Sequence, residues 1–205
     1  MPKIWQKYSN SGSMLGVWDI TESIEDMRDQ LQVDEIPSIK NELRLRQYLG
    51  SRILLQEMLR ELKVENVRLH KMDSGQPYLS IPQWNVSISH ADRFAAIALS
   101  PQRIGIDIEK LSPRIKRIQN KFMNKEELAC LKDEEDLNWM HVVWSAKEAL
   151  FKYHPGRDFD FRTHLLVKPE GNNRLHAEIH QTHPTEQLYV EYEWIQDFVL
   201  AWTEF

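Results

Sequence analysis

The chain has 205 residues, of which 41% are hydrophobic and 28% are charged, and its formal net charge is −5. Its seven Trp, seven Phe and six Tyr residues exclude a disordered chain, and the negative charge excludes a polyanion binder that acts through overall charge. The single cysteine, Cys130, excludes an intramolecular disulfide. The sequence begins without the apolar run of a signal peptide and contains no apolar stretch of membrane-spanning length, so we expect a cytoplasmic protein without a membrane segment.

The first half of the chain is predicted to contain one long helix and several strands. The apolar pattern and the turn residues predict, in chain order, a strand over 14–20, a short helix over 21–32 capped by Thr21, a long helix over 40–63, a strand over 66–70, a turn over 73–77, and strands over 85–90 and 94–100. The leucines of the long helix recur at helical spacing, which makes it the strongest helix of the sequence.

The second half is predicted to contain another long helix and a strand-rich end. Its predicted elements are a strand over 103–109, a helix over 114–132 that is interrupted near Asn124, a long helix over 137–153, and strands from 157 to 205 that close in a hairpin around Gln196-Asp197. The two halves share the order strand, long helix, strands. We therefore expect two α+β domains, residues 1–103 and 104–205.

The segment 103–110, RIGIDIEK, places two carboxylates on one face of an apolar strand. Side chains alternate along a strand, so Asp107 and Glu109 share one face while Ile106 and Ile108 point to the core. Carboxylates on one face repel each other, and they are tolerable if they are exposed or if a cation lies between them. The segment alone leaves both interpretations open.

The preceding strands predict a polar cluster beside these carboxylates. If the strands 94–100 and 103–109 form a hairpin, residue 94 faces residue 109, and the two polar residues that end the strand 85–90 approach the same end of the sheet. This hairpin would gather Ser89, His90, Asp107 and Glu109. Such a group can bind both anions and cations.

The second long helix carries a third carboxylate, on its apolar stripe. In WSAKEALFK, residues 144–152, Glu148 shares a helix face with two aromatic residues, and Lys147 and Lys152 flank it. An ordinary ion pair between Glu148 and Lys152, four residues apart, would explain this pattern without any function.

A magnesium site would give the three carboxylates a common role. Mg²⁺ takes oxygen ligands and completes its shell with water and substrate phosphate, and lysines beside such a site suit phosphate oxygens. The sequence has no Gly-rich phosphate loop, nucleophile elbow or zinc CxxC motif, and no basic stripe with interleaved aromatics that would indicate nucleic-acid binding. The carboxylates that suit Mg²⁺ are Asp107, Glu109 and Glu148.

Four short motifs of the sequence resemble motifs of the 4′-phosphopantetheinyl transferase superfamily, in its larger, Sfp-like branch, and they occur in the same order along the chain. The family's G-[IV]-D-[IV]-E strand is similar to residues 105–109, and its W-x-x-K-E-x-x-x-K helix to residues 144–152. Its N-x-S-x-S-H segment is similar to residues 85–90, and its G-K-P-x-L segment to residues 75–79. Each motif is weak alone, the four in order at the family's spacing are strong together, and the resemblance spans about residues 40–200 of the chain.

The resemblance implies a fold, an activity and a metal. The family's larger branch is monomeric, with two similar α/β halves related by a pseudo-twofold axis and the transferase site at their junction. These enzymes move 4′-phosphopantetheine from coenzyme A to a serine of an apo acyl or peptidyl carrier protein and release adenosine 3′,5′-bisphosphate. By residue match, Asp107, Glu109 and Glu148 would hold Mg²⁺, Lys152 would stabilise charge at the transferring phosphorus, and Lys147 would support the pyrophosphate.

The same resemblance assigns residues to coenzyme A in the first half. Ser89 and His90 would bind the 3′-phosphate. Gln76 and Pro77 stand in the G-K-P-x-L segment, where Gln76 replaces the family's lysine, so that one cation for the 3′-phosphate is missing.

Two arginines in the first half of the predicted helix 40–63 are further candidates to bind coenzyme A. The family's arginine that contacts adenosine or phosphate matches Arg46, with Arg44 as the alternative. Arg52 and Lys71 are candidates to supply the charge that Gln76 lacks.

The general base and the carrier surface are assigned by the same match. Glu127 is the candidate base for the carrier serine, with Glu126 as the alternative. The segment 110–122 contains five basic residues and no acid, which suits an acidic carrier protein, although a solvated helix face explains it equally well. Two other functions stay open: a degenerate homologue that binds coenzyme A or a carrier protein without turnover, and a different Mg²⁺-dependent phosphodiester enzyme.

Overall fold

The computed structural model describes residues 3–9, 12–31, 36–133, 135–154, 158–181 and 184–204. The chain divides into two compact units, Met1–Arg103 and Ile104–Phe205. Each unit contains an antiparallel sheet and one long helix that packs on it. The prediction of a mixed α+β fold is therefore confirmed, and the pseudo-twofold relation between the halves stays a prediction.

The first unit is built on a four-stranded antiparallel sheet in the order β1-β2-β6-β5, and β3 and β4 form a separate two-stranded ladder. Its elements are β1 (Lys3–Tyr8), β2 (Met14–Asp19), α1 (Ile24–Leu31), α2 (Glu42–Glu61), β3 (Leu69–Lys71), β4 (Pro77–Leu79), β5 (Asn85–Ala91) and β6 (Phe94–Ser100). The core of this unit lies between α2 and the sheet, where Leu49, Ile53 and Met58 pack with Trp18 and Ile97.

Local capping chemistry sets the helix ends of the first unit. Asn41 caps α2 because its side chain accepts a hydrogen bond from the Arg44 backbone N–H. The predicted cap Thr21 is wrong for α1, which begins at Ile24, because the Ser23 hydroxyl accepts the hydrogen bond from the Asp26 backbone N–H at 3.1 Å. Strand β1 was not predicted from the sequence.

The second unit is built on a five-stranded antiparallel sheet in the order β7-β11-β10-β9-β8. Its elements are β7 (Ile106–Lys110), a 3₁₀ helix (Pro113–Arg117), α3 (Gln119–Phe122), α4 (Lys125–Ala129), α5 (Leu137–Tyr153), β8 (Leu165–Pro169), β9 (Arg174–Ile179), β10 (Glu186–Ile195) and β11 (Phe198–Glu204). Helix α5 packs across this sheet. The predicted interruption near Asn124 is confirmed, because Asn124 and Glu127 form a capping box that starts α4.

The predicted hairpin between 94–100 and 103–109 is wrong. Strand β6 pairs with β2 on one edge and with β5 on the other, so it has no free edge for a third partner. Strand β7 pairs instead with β11, from Phe198 opposite Lys110 to Trp202 opposite Ile106. The predicted grouping of Ser89 and His90 with Asp107 and Glu109 therefore does not arise from strand pairing.

Gly105 precedes β7 at a point of very close approach to α5. A Cβ atom at this position would lie 1.8 Å from the Ala149 carbonyl oxygen and 2.9 Å from the Tyr153 backbone nitrogen. Both are backbone atoms of α5, and they cannot yield as a flexible side chain can. The absence of a side chain at residue 105 thus sets how closely the helix lies over the strand.

Replacing Gly105 by Ala should therefore destabilise the protein by roughly 3 kcal/mol, because α5 must move away from β7. Thermal and urea unfolding measure the loss. Gly16→Ala is the matched control, since its Cβ would meet only the side chains of Leu54 and Met58, at 3.2 Å. Equal stability of the two variants would contradict this account of the helix–strand contact.

Candidate active site

Strand β7 directs two carboxylates toward α5. Residues directly opposite each other in an antiparallel pair share a face of the sheet. Asp107 lies opposite Ala201 and Glu109 opposite Val199, and both partners belong to the core that α5 covers. Asp107 and Glu109 therefore face the helix.

Asp107 is the centre of this arrangement. It is 3% exposed, and its two oxygens have different partners. Lys152 Nζ lies 2.8 Å from Oδ1, and the Ser145 hydroxyl donates to Oδ2 at 2.9 Å. Ser145, Glu148 and Lys152 recur at i, i+3 and i+7, so they lie on one face of α5, above the strand.

Glu109 is held by an aromatic residue of the same helix. The Trp144 indole N–H donates to Glu109 Oε1 at 3.1 Å. The indole in turn packs against Phe122, with ring centroids 5.1 Å apart, and against Phe161, at 5.6 Å. Trp144 thus fixes one carboxylate oxygen while its ring is part of the apolar core.

The carboxyl groups of Glu109 and Glu148 have raised pKa values. Burial and the charge of Asp107 raise the pKa of Glu109 from 4.5 to about 7, although the Trp144 hydrogen bond opposes the shift. Burial and the same Asp107 charge raise the pKa of Glu148 to about 7, and Lys152 opposes it. The cluster therefore holds more negative charge than its surroundings stabilise.

This donor set fits a divalent cation by its chemistry. Mg²⁺ prefers oxygen ligands, and strand β7 and helix α5 together supply three carboxylates. A bound cation would also relieve the repulsion that raises the pKa values of Glu109 and Glu148. Within the described residues, no group of three His, Cys, Asp or Glu side chains is already placed around a metal position. Lys152 supplies the positive charge at Asp107 in this arrangement.

The structure does not bring Lys147 and Glu127 to the carboxylate cluster. Both side chains are fully buried and paired, with Lys147 Nζ 2.8 Å from Glu127 Oε2. Lys147 also donates to the carbonyl oxygens of Phe122, at 2.6 Å, and Phe161, at 2.8 Å. The predicted contacts of Lys147 with pyrophosphate and of Glu127 with the carrier serine stay predictions.

The Lys147–Glu127 pair connects α5 to the segments that flank it. Besides Lys147, Glu127 accepts hydrogen bonds from the backbone N–H groups of Asn124, at 2.8 Å, and Val167, at 3.1 Å. Burial lowers the pKa of Lys147 to about 8 and raises that of Glu127, and the attraction between the two opposes both shifts. The pair thus ties α4 and β8 to α5.

Two contacts of this site were missed in the sequence. Ser145 was not predicted as a partner of Asp107, and Trp144 was not predicted to donate to Glu109. The helical spacing of Ser145 with Glu148 and Lys152 is the signal that could have found the first contact. Nothing in the sequence indicates which carboxylate Trp144 reaches.

The first unit contains a separate basic cleft of about 520 Å³. It is lined by Ile39, Arg44, Tyr48, Ser51, Arg52, Lys71, Gly75, Pro77, Ile88 and His90. Three of these residues carry a fixed positive charge and none is acidic, although the chain as a whole is negative. The cleft can therefore attract an anion with an apolar or aromatic part.

Only some of the residues predicted to bind coenzyme A lie at this cleft. Pro77 and His90 line the cleft, whereas Arg46, Gln76 and Ser89 are not part of its lining. The Arg46 guanidinium donates instead to the Ile20 carbonyl oxygen at 3.0 Å, and Ser89 is 7% exposed. Of the two arginines left open by the sequence, Arg44 is the one at the cleft.

Replacing Glu148 by Gln should stabilise the metal-free protein at pH 8 and have little effect at pH 5. The folded pKa of about 7 lies above the ordinary 4.5, so the stability that the protonated group contributes is full below pH 4.5 and is lost as the pH rises through 7. The amide does not undergo this loss. We expect a gain on the order of 1 kcal/mol, measured by urea unfolding in EDTA.

Glu178→Gln is the matched control for this measurement, because Glu178 lies on β9 of the same unit and pairs with His180 at 2.8 Å. A Glu148→Gln variant that is less stable than the wild type at pH 8 would mean that Lys152 stabilises the charged carboxylate more than burial and repulsion oppose it.

Comparison of the sequence with known proteins finds a family that matches the second unit. A family model described as the 4′-phosphopantetheinyl transferase superfamily matches residues 103–203. The chain is similar to the 4′-phosphopantetheinyl transferase Sfp of Bacillus subtilis (strain 168), with 31% identity over 145 residues, which are 63% of this chain and 65% of that protein. No helix in the described part of the chain has the length and apolar character needed to cross a membrane.

Further relatives carry the same description. The 4′-phosphopantetheinyl transferase ffp of Bacillus subtilis is 30% identical over 97 residues, 45% of this chain and 43% of that protein. The 4′-phosphopantetheinyl transferase gsp of Aneurinibacillus migulanus is 26% identical over 112 residues, 52% of this chain and 47% of that protein. The chain thus matches 65% or less of the length of these three relatives. Residues 103–203, which hold both the β7 carboxylates and α5, thus place the second unit of this chain in the 4′-phosphopantetheinyl transferase superfamily.

Proposed function

We propose that the protein transfers 4′-phosphopantetheine from coenzyme A to a serine of an apo carrier protein, in a reaction that depends on Mg²⁺. The observation that carries this proposal is the buried Asp107 between Lys152 and Ser145, beside two carboxylates whose pKa is about 7. This cluster lies within the segment that matches the family. The names of the relatives support the transferred group, and the chemistry of the cluster supports the metal.

The reaction needs charge neutralisation more than covalent chemistry. The serine oxygen forms a bond to the phosphorus that carries pantetheine, the bond from this phosphorus to the bridging oxygen breaks, and adenosine 3′,5′-bisphosphate leaves with the electron pair. The serine proton passes to a base. When bound to Asp107, Glu109 and Glu148, Mg²⁺ would neutralise the pyrophosphate oxygens.

Lys152 is the residue of this chain best placed to act on the phosphorus. Its side chain is 26% exposed, and its Nζ lies at the Asp107 carboxylate. Because the side chain is partly exposed, its ammonium group can turn from the buried carboxylate toward a phosphate oxygen without unfolding the site. Ser145 keeps the second Asp107 oxygen oriented while this happens.

The orientation of the carboxylates depends on groups that do not touch the substrate. Trp144 holds Glu109, and the buried pair of Lys147 and Glu127 holds α5 against α4 and β8. Glu127 as the general base remains a prediction of this proposal. A base role would require one of its oxygens to give up a partner.

The carrier protein would bind the basic segment 110–122, which directly follows Glu109. In this segment Arg114, Arg117 and Lys121 are exposed. The segment is fixed at its start, where the Ser112 backbone N–H donates to His141 Nε2 at 3.1 Å. An ordered surface with exposed basic residues suits the acidic surface around the serine of a carrier protein.

The first test is the intact mass of an apo acyl carrier protein after incubation with this protein, coenzyme A and Mg²⁺. We expect the mass to rise by one phosphopantetheine group. Glu148→Gln should lower the rate at least about 100-fold, because it removes one charge of the cluster, and EDTA should abolish the reaction. Glu178→Gln, which removes a carboxylate of the same unit outside the cluster, should react like the wild type.

Two negative results would have different meanings. No mass gain with several apo carriers, while coenzyme A still binds by calorimetry, would favour a homologue that binds without turnover. A mass gain that persists unchanged in EDTA and in Glu148→Gln would contradict the proposed metal site.

The docking proposal predicts a selective effect on the carrier. The double variant Arg114→Glu, Arg117→Glu should raise the KM for the carrier about tenfold and leave the KM for coenzyme A unchanged, because like charges would then meet an acidic partner. The control Arg60→Glu, Lys63→Glu makes the same charge change at the end of α2. Equal effects of the two double variants would show that only overall charge matters.

A further inference from the structure

The basic cleft of the first unit has a cation that is built into its wall. Tyr48 and Arg52 are four residues apart on α2, so their side chains are neighbours on one helix face. The Arg52 guanidinium carbon lies 3.8 Å above the centre of the Tyr48 ring, and the guanidinium donates to the Ser51 hydroxyl at 2.9 Å. Stacking and this hydrogen bond fix the plane of the guanidinium at the cleft.

Arg52 lacks the partner that a half-buried cation ordinarily has. No carboxylate among the described residues pairs with it, and its ring stacking and the Ser51 contact leave most of its five N–H donors for another group. Removing a guanidinium from water without an anion costs free energy. An anionic ligand in the cleft would offset that cost.

A second cation enters the same cleft from the β3–β4 ladder. Lys71 lies directly opposite Pro77 in this ladder, so both residues share one face, and both line the cleft. The turn between them is closed by hydrogen bonds from the Met72 N–H to the Gln76 carbonyl, at 2.9 Å, and from the Gly75 N–H to the Met72 carbonyl, at 2.8 Å. Lys71 thus stands across the hairpin from Pro77, the residue next to Gln76, which replaces a lysine of the resembled family.

The chemical structure of coenzyme A indicates which of its phosphates Arg52 and Lys71 would bind. Coenzyme A has three phosphates, two of them in the pyrophosphate and one as a 3′-monoester on the ribose. Under the proposed function, on which this inference rests, the pyrophosphate belongs to the carboxylates and Lys152 of the second unit. Of the three basic residues that line the cleft of the first unit, Arg52 and Lys71 would then meet the monoester, whose double negative charge matches two cations.

We propose that Arg52, stacked on Tyr48, and Lys71 recognise the 3′-phosphate of coenzyme A in this protein, and that they replace the cation that Gln76 does not supply. Arg52 is a specificity-determining residue in this proposal, because the stacked guanidinium presents a flat, fixed pair of donors to phosphate oxygens. Tyr48 is a positioning residue, since it acts only through Arg52.

Calorimetry with two pairs of ligands tests the proposal on the full chain. The first pair, coenzyme A and 3′-dephospho-coenzyme A, is measured with Mg²⁺. The second pair, adenosine 3′,5′-bisphosphate and adenosine 5′-monophosphate, is measured in EDTA, so that it reports on the first unit without the metal. The members of each pair differ only in the 3′-phosphate.

The wild type should bind the 3′-phosphorylated member of each pair at least about tenfold more tightly, the range of a charge-assisted contact. Arg52→Gln should weaken binding of coenzyme A about tenfold and binding of dephospho-coenzyme A less than about threefold. Arg52→Gln with Lys71→Gln should remove the preference. Arg52→Lys should restore only part of it, because a lysine keeps the charge and loses the flat donor pair.

Arg60→Gln, an exposed arginine of the same helix outside the cleft, is the matched control and should keep the full preference. Unfolding curves of all variants confirm that they are folded. Equal losses for both members of a pair, or a preference that survives the double variant, would overturn the proposal. A wild type that binds none of the four ligands would overturn it as well.

The transfer assay separates this inference from the proposed function. A wild type that transfers phosphopantetheine without preferring the 3′-phosphate would overturn the inference alone. A wild type that prefers the 3′-phosphate in both pairs, with the losses expected in the Arg52 variants, and yet gives no transfer would overturn the activity and support the assigned phosphate site.

Discussion

The close approach of α5 to β7 at Gly105 is the constraint on which the candidate site depends. With the Ala149 carbonyl so near that no Cβ fits between, the helix lies low enough for Ser145 and Lys152 to reach Asp107. A helix displaced by even one methyl group would lengthen these hydrogen bonds beyond the range in which they contribute much free energy. The glycine of the strand motif and the polar residues of the helix motif therefore belong to one packing solution.

The two lysines of the helix motif show how the direction of a side chain decides its role. Lys147 and Lys152 are five residues apart, which places them on different sides of α5. Lys147 points into the unit, where Glu127 and two carbonyl oxygens surround its ammonium group. Lys152 points to the carboxylates and keeps contact with solvent. One lysine is thus used to hold the helix in place, and the other can interact with a substrate.

The sequence predicts well what depends on local pattern. The spacing of the apolar residues indicated α2 and α5, and strand alternation correctly put Asp107 and Glu109 on one face of β7. The prediction that the core lies on the opposite face, with Ile106 and Ile108, is wrong for the core under α5, because Val199 and Ala201 of that core lie on the carboxylate face. It failed where distant segments decide the outcome: β7 pairs with β11, almost a hundred residues later in the chain, and no local signal competes with the nearer strand β6. The burial of Glu127 and Lys147 was equally hidden, since a motif names charged residues without saying which of them finds a partner inside.

The two candidate sites, each within one unit, differ in the sign of the charge that they supply. The cleft of the first unit is lined by three basic side chains and by no acidic one. The second unit supplies carboxylates, which would repel a phosphate unless a divalent cation were bound, and burial and mutual repulsion raise the pKa of two of them, Glu109 and Glu148, to about 7. Under the proposed function, we therefore expect phosphate binding at the first unit to depend on ionic strength, and phosphate binding at the second unit to depend on metal and pH.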